Sequence, residues 1–316
     1  MQADMTLDER ATASASRETS ISGTPPATAP RVTIVMPCYN EEDGISRTLQ
    51  RLHEQLHSLE PYELIVVDDG STDSTARVLD AALAERPWAR IMSHPRNRGY
   101  GAALKTGIRH AGSSLVVITD IDGTYPPERI PELVAAVDDA DMVVGARTAP
   151  DATYPLVRKI PKLFLTAYAS WIARQDIPDL NSGLRVFRRE AVSRFLNILP
   201  DGFSFTTTLT LAMLTNGYRV RYIPVGYSPR LGRSKIRPVR DTLSFFQLVL
   251  RTGLYFAPLR VYGPVLVAMF AAFCVSLVYD VVVLRNLTDK TVLLMTLFIN
   301  STMFALLADM IDKRSS

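Results

Sequence analysis

The chain is poor in cysteine and histidine, since its 316 residues include two cysteines, Cys38 and Cys274, and four histidines. Two thiols so far apart provide neither a disulfide framework nor a zinc ligand set, and we expect both to stay reduced. An excess of basic residues is also lacking, because 35 lysines and arginines face 32 aspartates and glutamates. Proteins that bind nucleic acids usually carry a clearly basic surface, so we expect no nucleic-acid partner.

Residues 1–30 lack the central apolar run of a secretory signal peptide, and we expect no signal peptide there. They are rich in Ala, Ser, Thr and Pro, with scattered charges. Such a segment buries too little apolar surface to offset its conformational entropy. The composition therefore predicts a disordered tail over residues 1–30.

Two long apolar runs lie near the C-terminus. Residues 261–284 are apolar apart from Asp280 and are numerous enough to span a bilayer, and residues 291–308 form a shorter run. The loop RNLTDK between them is short, so the pattern predicts a transmembrane hairpin over residues 261–310 and a tail over residues 311–316. A pair of buried core helices is the alternative.

Cations flank the predicted hairpin on both outer sides. Arg251 and Arg260 precede it, and Lys313 and Arg314 follow it. Lysine and arginine mark the cytoplasmic side of a membrane segment, which places both ends and the 311–316 tail in the cytoplasm, although two loop cations oppose this orientation. We expect a membrane protein, with a bacterial inner membrane as the first choice and an internal membrane as the second.

Residues 31–147 alternate short apolar runs with segments of helical periodicity. The runs are continuously apolar, which is typical of strands covered on both faces, and their alternation with helices predicts a mainly parallel sheet in an α/β fold. Ligands of such sheets bind at the carboxyl ends of the strands. The predicted strands are residues 32–37, 63–69, 90–93, 114–120 and 141–147.

Residues 148–260 show a looser pattern. Helices are predicted over residues 156–173, 187–199 and 205–216, and a strand over residues 219–227. One folded domain is therefore expected over residues 31–236. The segment 237–260 is amphipathic and leads into the hairpin, which predicts either an interfacial helix or an ordinary surface helix.

Asp120 and Asp122 end the predicted strand SLVVITD. Residues i and i+2 of an extended chain point to the same side, and two carboxylates placed there repel each other unless a cation lies between them. A hard divalent ion with oxygen ligands meets this need and would stabilise a departing diphosphate. The pair predicts an Mg²⁺ or Mn²⁺ site, with a solvated turn as the alternative.

Acidic and polar residues also follow the first two predicted strands. Asp68 and Asp69 end the second strand, where a carboxylate can accept hydrogen bonds from a base or ribose. In the motif PCYNEE after the first strand, Tyr39 can stack on a base and Glu41 can bond to it. Alternatively, Asn40 caps a helix there.

The motifs MPCYNEE, VVDDGSTDST, NRGYGAALKTGI and DIDGTYPPE occur in this order and spacing. Together they resemble the family 2 glycosyltransferases, which have the Rossmann-like nucleotide-diphospho-sugar transferase (GT-A) fold. DLNSGLRVFRR and GRSKI resemble, more narrowly, the dolichol-phosphate mannosyltransferases and their bacterial polyprenyl-phosphate relatives. The resemblance covers about residues 32–236 and is most specific over residues 32–128.

The resemblance implies a role for each matching residue. Asp120 and Asp122 would hold the metal ion, and Arg147 and Arg185 would face the donor diphosphate and the acceptor phosphate. Acceptor phosphate contacts would also come from Arg158, Lys162, Ser234 and Lys235. The nucleotide-sugar donor, of GDP-mannose or UDP-glucose type, would lie against Pro37, Tyr39, Glu41, Val66, Asp68, Asp69, Lys105 and Ile121.

The sequence departs from the family pattern at two places. Gly123, Thr124 and Tyr125 stand where a glutamine, serine or histidine is common, which leaves Thr124 or water as the third metal ligand. Arg158 and Lys162 stand where an arginine and a serine are common, so the site stays cationic without the serine.

The expected reaction is an inverting sugar transfer to a polyprenyl phosphate. The acceptor oxygen is already anionic, so no strong base is needed, in keeping with motifs that contain no histidine. One alternative is transfer to a hydroxyl of a lipid or glycan, with Asp176 or Asp179 as the base. A non-catalytic membrane scaffold is another. An oligomer is compatible with the sequence.

Overall fold

The computed structural model of the protein describes residues 20–22, 29–84, 86–148, 159–228, 250–251 and 253–315. The chain forms two compact units. The first comprises Met1–Leu156, Pro178–Met213 and Tyr218–Ile236, and the second comprises Val157–Ile177, Leu214–Gly217 and Arg237–Ser316. The predicted interfacial segment, 237–260, lies largely outside the described residues.

The first unit is built on an eight-stranded sheet in the order β1-β4-β3-β2-β5-β7-β6-β8. Strand β2 pairs in parallel with β3 and β5, and the pairs β3–β4 and β6–β8 are also parallel. The pairs β1–β4, β5–β7 and β6–β7 are antiparallel. The strands are β1 (Ser20–Ser22), β2 (Val32–Cys38), β3 (Tyr62–Asp68), β4 (Ala89–Ser93), β5 (Leu115–Ile118), β6 (Met142–Ala146), β7 (Arg185–Arg188) and β8 (Val220–Pro224).

The helices of the first unit alternate with its strands. Helices α5, α8 and α9 belong to the second unit. They are α1 (Ile45–Gln55), α2 (Thr75–Leu83), α3 (Tyr100–His110), α4 (Ile130–Ala135), α5 (Lys159–Ala173), α6 (Arg189–Ser193), α7 (Phe205–Thr215), α8 (Pro258–Tyr279) and α9 (Asp289–Ser315). The mixed α/β sheet agrees with the fold class expected from the sequence.

Two elements differ from the prediction. The sequence predicted a helix over residues 187–199. In the structure β7 includes the first two residues of this stretch, and only Arg189–Ser193 forms an α-helix. The strand forms because it bridges β5 and β6, a tertiary pairing that local periodicity does not encode. Within the tail predicted to be disordered, Ser20–Ser22 pairs with the edge of β4.

The helices pack through apolar residues at helical spacing. Helix α1 buries Ile45, Leu49 and Leu52 against the core. Helix α3 packs on β2 so closely that a Cβ added to Gly107 would lie 2.3 Å from Cγ1 of Val35. Since interiors are packed at crystal-like density, only glycine fits at this contact.

A buried charge network ties the strands together near their amino ends. Arg90 of β4 forms an ion pair with Glu63 of β3, whose side chain is 1% exposed. The other carboxylate oxygen of Glu63 accepts hydrogen bonds from the Thr33 hydroxyl at 2.7 Å and the Gly112 amide at 2.8 Å. A buried charge is tolerated only when it is paired in this way, so the network holds β2, β3 and β4 in register.

The second unit contains two long apolar helices. Helix α8 continues through a π-helical turn to Leu284, and the spans Pro258–Leu284 and Asp289–Ile311 have mean hydropathies of 2.4 and 1.9. Only 11% of each span's most apolar stretch is buried, which is unlike a pair of core helices. Asp280 closes the connection by accepting hydrogen bonds from the Thr288 amide at 2.8 Å and hydroxyl at 2.6 Å. The helices are consistent with the expected transmembrane hairpin.

Replacing Gly107 by alanine is expected to destabilise the first unit by about 2 kcal/mol, because the new methyl group overpacks the contact with Val35. The free energy of unfolding would be measured by urea titration in detergent. In the double variant Gly107→Ala/Val35→Ala the cost should be smaller than the sum of the single costs. Additive costs would show that the two residues do not compete for the same space.

Candidate functional site

The carboxyl ends of three adjacent parallel strands bring the predicted site residues to one edge of the sheet. In the β2–β3 register Cys38 lies opposite Asp68, and in the β2–β5 register Val35 lies opposite Ile118. The residues that follow each strand therefore meet at this edge. They include Tyr39 and Glu41 after β2, Asp68 and Asp69 at the end of β3, and Asp120 and Asp122 after β5.

The neighbours that hold Asp120 in place include Tyr100 and Gly183. The Tyr100 hydroxyl at the start of α3 donates a hydrogen bond to Oδ1 of Asp120 at 2.9 Å. A Cβ added to Gly183 would lie 2.8 Å from Oδ2 of the same carboxylate. A side chain at position 183 would therefore push the carboxylate away. The Asp120 carboxylate can occupy its place only because residue 183 is glycine.

Asp122 is oriented by the turn that follows it. The amide and hydroxyl of Thr124 both donate to Oδ1 of Asp122, at 3.1 and 2.7 Å, and Gly123 between them has a φ of +72°. Thr124 is fully buried and its hydroxyl proton is engaged by Asp122, so it orients Asp122 rather than serving as an open third ligand. The Ile121 side chain belongs to the hydrophobic core, so a contact of this residue with the nucleotide would come from its backbone and stays a prediction.

Tyr100 and Tyr125 border the carboxylates. Burial, and next the negative charge of Asp120, raise the pKa of Tyr100 well above its ordinary value. Burial is also the largest cause that raises the pKa of Tyr125, against the positive charge of Arg147. Both phenols therefore stay protonated at neutral pH. The Tyr125 oxygen accepts a hydrogen bond from the Gly183 amide at 2.6 Å, which anchors the segment beside Asp120.

Arg147 at the end of β6 is clamped by Asp179. Its Nε and Nη2 donate to the two carboxylate oxygens at 2.7 and 2.8 Å, and its backbone amide donates to one of them at 3.0 Å. Its guanidinium also lies over the Tyr227 ring, 5.3 Å from the centroid. The Asp179 side chain is fully buried in this ion pair, which does not favour it as the general base of the alternative transfer to a hydroxyl group. Asp176, the other candidate base, is exposed.

Arg185 does not face open space, contrary to the expectation that it contacts phosphates. It is fully buried, and burial lowers the pKa of its guanidinium below the ordinary value. Its donors bond to the carbonyls of Leu180 and Ser182 at 3.0 and 2.8 Å and to the Thr210 hydroxyl at 2.7 Å. Arg185 thus supports the loop that carries Gly183.

The edge formed by β2 and β3 is the expected nucleoside site. Asp68 accepts hydrogen bonds from the Ser71 amide and hydroxyl, at 3.0 and 2.5 Å. Asn40 has a φ of 52° and bonds to Ser71 and Thr72, so it ties two loops together and does not cap α1, which begins after Gly44. Tyr39 and Glu41 are half-buried at this edge.

The side chains of Pro37 and Val66 lie within the strands. Pro37 is buried, and Val66 belongs to the hydrophobic core with no exposed surface. A contact of these two residues with the nucleotide would therefore come from their backbone, and the predicted contact stays a prediction. Burial, followed by the charge of Asp68, raises the pKa of the neighbouring Cys38 thiol, which stays protonated.

Asp69 serves the scaffold rather than an open site. Its carboxylate bonds to Nδ1 of His94 at 2.6 Å and accepts from the amides of Arg98 and Gly99 at 2.9 and 2.7 Å. These contacts hold the loop that leads into α3, which corrects the expected role in nucleotide binding. His94 lies outside every motif, and no sequence signal identified it.

Lys105, also expected at the nucleotide, forms an ion pair with Asp201 at 2.8 Å on the flank of α3. Arg158, Ser234 and Lys235 lie outside the described residues. Lys162 lies on α5, and its side chain is also outside the described part of the structure. The predicted acceptor-phosphate contacts of these four residues stay predictions.

The donor set suits a hard divalent cation. Within the described residues, no three His, Cys, Asp or Glu side chains form a group that could hold a metal. Asp120 and Asp122 supply carboxylate oxygens only, and Mg²⁺ commonly binds to one or two carboxylates together with water and substrate phosphates. A cation here would complete its coordination with ligands of that kind.

Comparison with known proteins matches residues 33–196 to the family described as glycosyl transferase family 2. Polyprenol monophosphomannose synthase of Mycolicibacterium smegmatis is 31% identical over 217 residues, covering 65% of this chain and 81% of the relative. Undecaprenyl-phosphate 4-deoxy-4-formamido-L-arabinose transferase of Edwardsiella ictaluri is 31% identical over 256 residues, covering 78% of this chain and 76% of the relative.

Solved structures support the same fold. Glucosyl-3-phosphoglycerate synthase from Mycobacterium tuberculosis, in complex with Mn²⁺, uridine diphosphate and phosphoglyceric acid, superimposes with a TM-score of 0.55. The match covers 80% of this chain and 83% of that chain at 21% identity. At this identity the likeness shows the GT-A fold alone.

Removing the Asp179 carboxylate is expected to cost about 3 kcal/mol of stability, because Arg147 would keep a largely buried charge without its partner. The measurement is urea unfolding of the Asp179→Ala variant in detergent. Glu132→Ala is the matched control, since it breaks an arginine–carboxylate pair whose side chains are 38% and 52% exposed. The control should change stability by less than about 1 kcal/mol. Equal losses in the two variants would contradict the clamp.

Proposed function

The chain belongs to glycosyl transferase family 2, and on that premise we propose that it transfers a sugar from a nucleotide diphosphate to a polyprenyl phosphate. Relatives named for polyprenol and undecaprenyl-phosphate sugar transfer support this acceptor. The observation that carries the proposal is the pair Asp120 and Asp122 at the carboxyl end of β5, beside the ends of β2 and β3. There a diphosphate can meet both a cation and a nucleoside site.

The donor is held by two groups of residues in this proposal. Asp68, Tyr39 and Glu41 bind the nucleoside at the β2–β3 edge, where loops are braced by hydrogen bonds between Asn40 and Ser71. Asp120 and Asp122 bind Mg²⁺ or Mn²⁺, which when bound stabilises the negative charge of the departing diphosphate. A related fold crystallised with Mn²⁺ and uridine diphosphate is compatible with this use of a divalent ion.

Arg147 supplies positive charge at a fixed position. Its guanidinium is oriented by two bonds to Asp179 and by the Tyr227 ring, so little conformational entropy is lost when a phosphate approaches. Pre-oriented charges of this kind stabilise charge that develops in a transition state. We assign Arg147 to the phosphates of the donor and acceptor, whereas Arg185 supports the loop beneath Asp120.

The proposed acceptor removes the need for a general base. A phosphate monoester oxygen is anionic at neutral pH and attacks the anomeric carbon directly, which inverts its configuration. The buried ion pair of Asp179 with Arg147 supports this choice over a hydroxyl acceptor, because a carboxylate paired in this way is a poor proton acceptor. Positioning and electrostatic stabilisation would then provide most of the rate.

The proposed location is a bacterial inner membrane with the sheet unit on the cytoplasmic side. The two apolar helices support a hairpin, and the cations of Arg251 and Arg260 before it and Lys313 and Arg314 after it support cytoplasmic ends. A polyprenyl phosphate in the same membrane is accessible from that side.

Label transfer on membranes that contain the protein tests the reaction. UDP-glucose and GDP-mannose would be supplied separately with polyprenyl phosphate, in the presence of Mn²⁺ or of EDTA, and label would be counted in the organic phase. We expect metal-dependent label from one donor. A protein that binds nucleotide but transfers no label to lipid from either donor would not support the proposed reaction and would favour a hydroxyl acceptor, an untested sugar or a scaffold.

The variant Asp122→Ala is expected to lose about a hundredfold or more in turnover while it remains folded, since it removes one of two proposed cation ligands from a half-buried turn. Turnover is measured in the same assay, and folding by circular dichroism. Asp138→Ala removes an exposed carboxylate elsewhere and should keep full activity. Turnover like that of the unmodified protein in Asp122→Ala would exclude the cation site as placed.

A further inference from the structure

Phe203 is an exposed aromatic residue in the connection between α6 and α7. Its side chain is 79% exposed. Among the described residues of the first unit, the other exposed large apolar side chains are Ile21 at 49% and Ile198 at 41%. Ile21 lies on the edge strand β1, and Ile198 lies earlier in the same connection as Phe203. Single exposed apolar side chains are common on protein surfaces, so the position of Phe203 decides whether it has a role.

The backbone around Phe203 is firmly held. The Asp201 carbonyl accepts a hydrogen bond from the Ala102 amide at 3.0 Å, and the Asp201 carboxylate pairs with Lys105 at 2.8 Å. A Cβ added to Gly101 would lie 2.2 Å from the Pro200 carbonyl oxygen, so the chain packs directly on the start of α3. These contacts therefore fix the backbone that carries Phe203, and this backbone holds the side chain in its exposed position.

Phe203 is connected to the candidate cation site by a single side chain. Its ring stacks on the Tyr100 ring with a centroid distance of 5.6 Å and an interplanar angle of 17°. The Tyr100 hydroxyl in turn donates to Oδ1 of Asp120 at 2.9 Å. The apolar ring thus lies at the rim of the site, one aromatic side chain away from a proposed cation ligand.

We propose that Phe203 binds the isoprenoid chain of the acceptor close to its phosphate. This inference rests on the proposed function. In that reaction the acceptor phosphate must reach the sugar held beside Asp120, and the hydrocarbon chain begins directly after the phosphate. An apolar surface is therefore required at the rim of the site, and Phe203 offers one at that place.

The donor makes different demands on the protein. Its nucleoside lies near Asp68 at the β2–β3 edge in the proposed arrangement. Its diphosphate and sugar require polar partners such as Arg147 and the cation held by Asp120 and Asp122. A flat hydrocarbon ring matches the apolar acceptor chain better than these groups. Phe203 accordingly acts as a residue of acceptor specificity, and Tyr100 positions both Phe203 and the Asp120 carboxylate.

Steady-state kinetics in detergent test the assignment with undecaprenyl phosphate as the acceptor and the donor that the unmodified enzyme uses. Phe203→Ala should raise the acceptor KM by about tenfold, the effect expected from losing much of one phenylalanine contact. The donor KM and the binding of the nucleoside diphosphate with Mn²⁺ should not change. Phe203→Leu, which keeps an apolar side chain, should recover most of the acceptor affinity.

Ile198→Ala is the matched control, because it removes another exposed apolar side chain from the same connection and leaves the Phe203–Tyr100 ring pair intact. It should leave both KM values unchanged, and thermal unfolding would confirm that all variants are folded. An unchanged acceptor KM in Phe203→Ala, or a rise in the donor KM instead, would overturn the inference. Absence of lipid-linked product with the unmodified enzyme would refute the proposed function itself, which is a separate outcome.

Discussion

The parallel pairing of β2 with β3 on one side and β5 on the other is the constraint on which the candidate site depends. It brings the ends of three strands that are distant in sequence to one edge, so that Asp68 and Asp120 lie on neighbouring parts of the same surface. The buried Glu63–Arg90 pair and the tight contact of Gly107 with Val35 hold these strands and α3 in place. The contacts that stabilise the sheet thus also fix the positions of the site residues.

Carboxylates that look alike in sequence serve different purposes in the fold. Asp69 directs both oxygens to His94 and to the loop before α3, whereas Asp120 and Asp122 are oriented by hydroxyl groups of Tyr100 and Thr124. These hydroxyl groups hold the two carboxylates at the carboxyl end of β5, where the cation is proposed to bind. The loop that ends at α3 therefore links the scaffold to the chemistry through Tyr100.

Arg147 and Arg185 also have different roles in the fold. Arg185 is buried under the 180–183 loop, where it satisfies backbone carbonyls, while Arg147 is fixed by Asp179 near the site. Desolvating a guanidinium is costly, and here hydrogen bonds to the Leu180 and Ser182 carbonyls and to the Thr210 hydroxyl offset that cost. The first two of these bonds brace a segment that the site needs. That segment carries Gly183, whose lack of a side chain leaves room for the Asp120 carboxylate.

The sequence by itself determined the alternation of strands and helices, the apolar C-terminal helices and the acidic motifs after β2, β3 and β5, because hydrophobic periodicity and short polar motifs are local properties. Only the tertiary structure decided that Arg185 is buried, that Asp69 binds His94 and that β7 forms a strand. Each of these depends on partners distant in the chain, and no local pattern encodes which long-range contact a charged side chain will make.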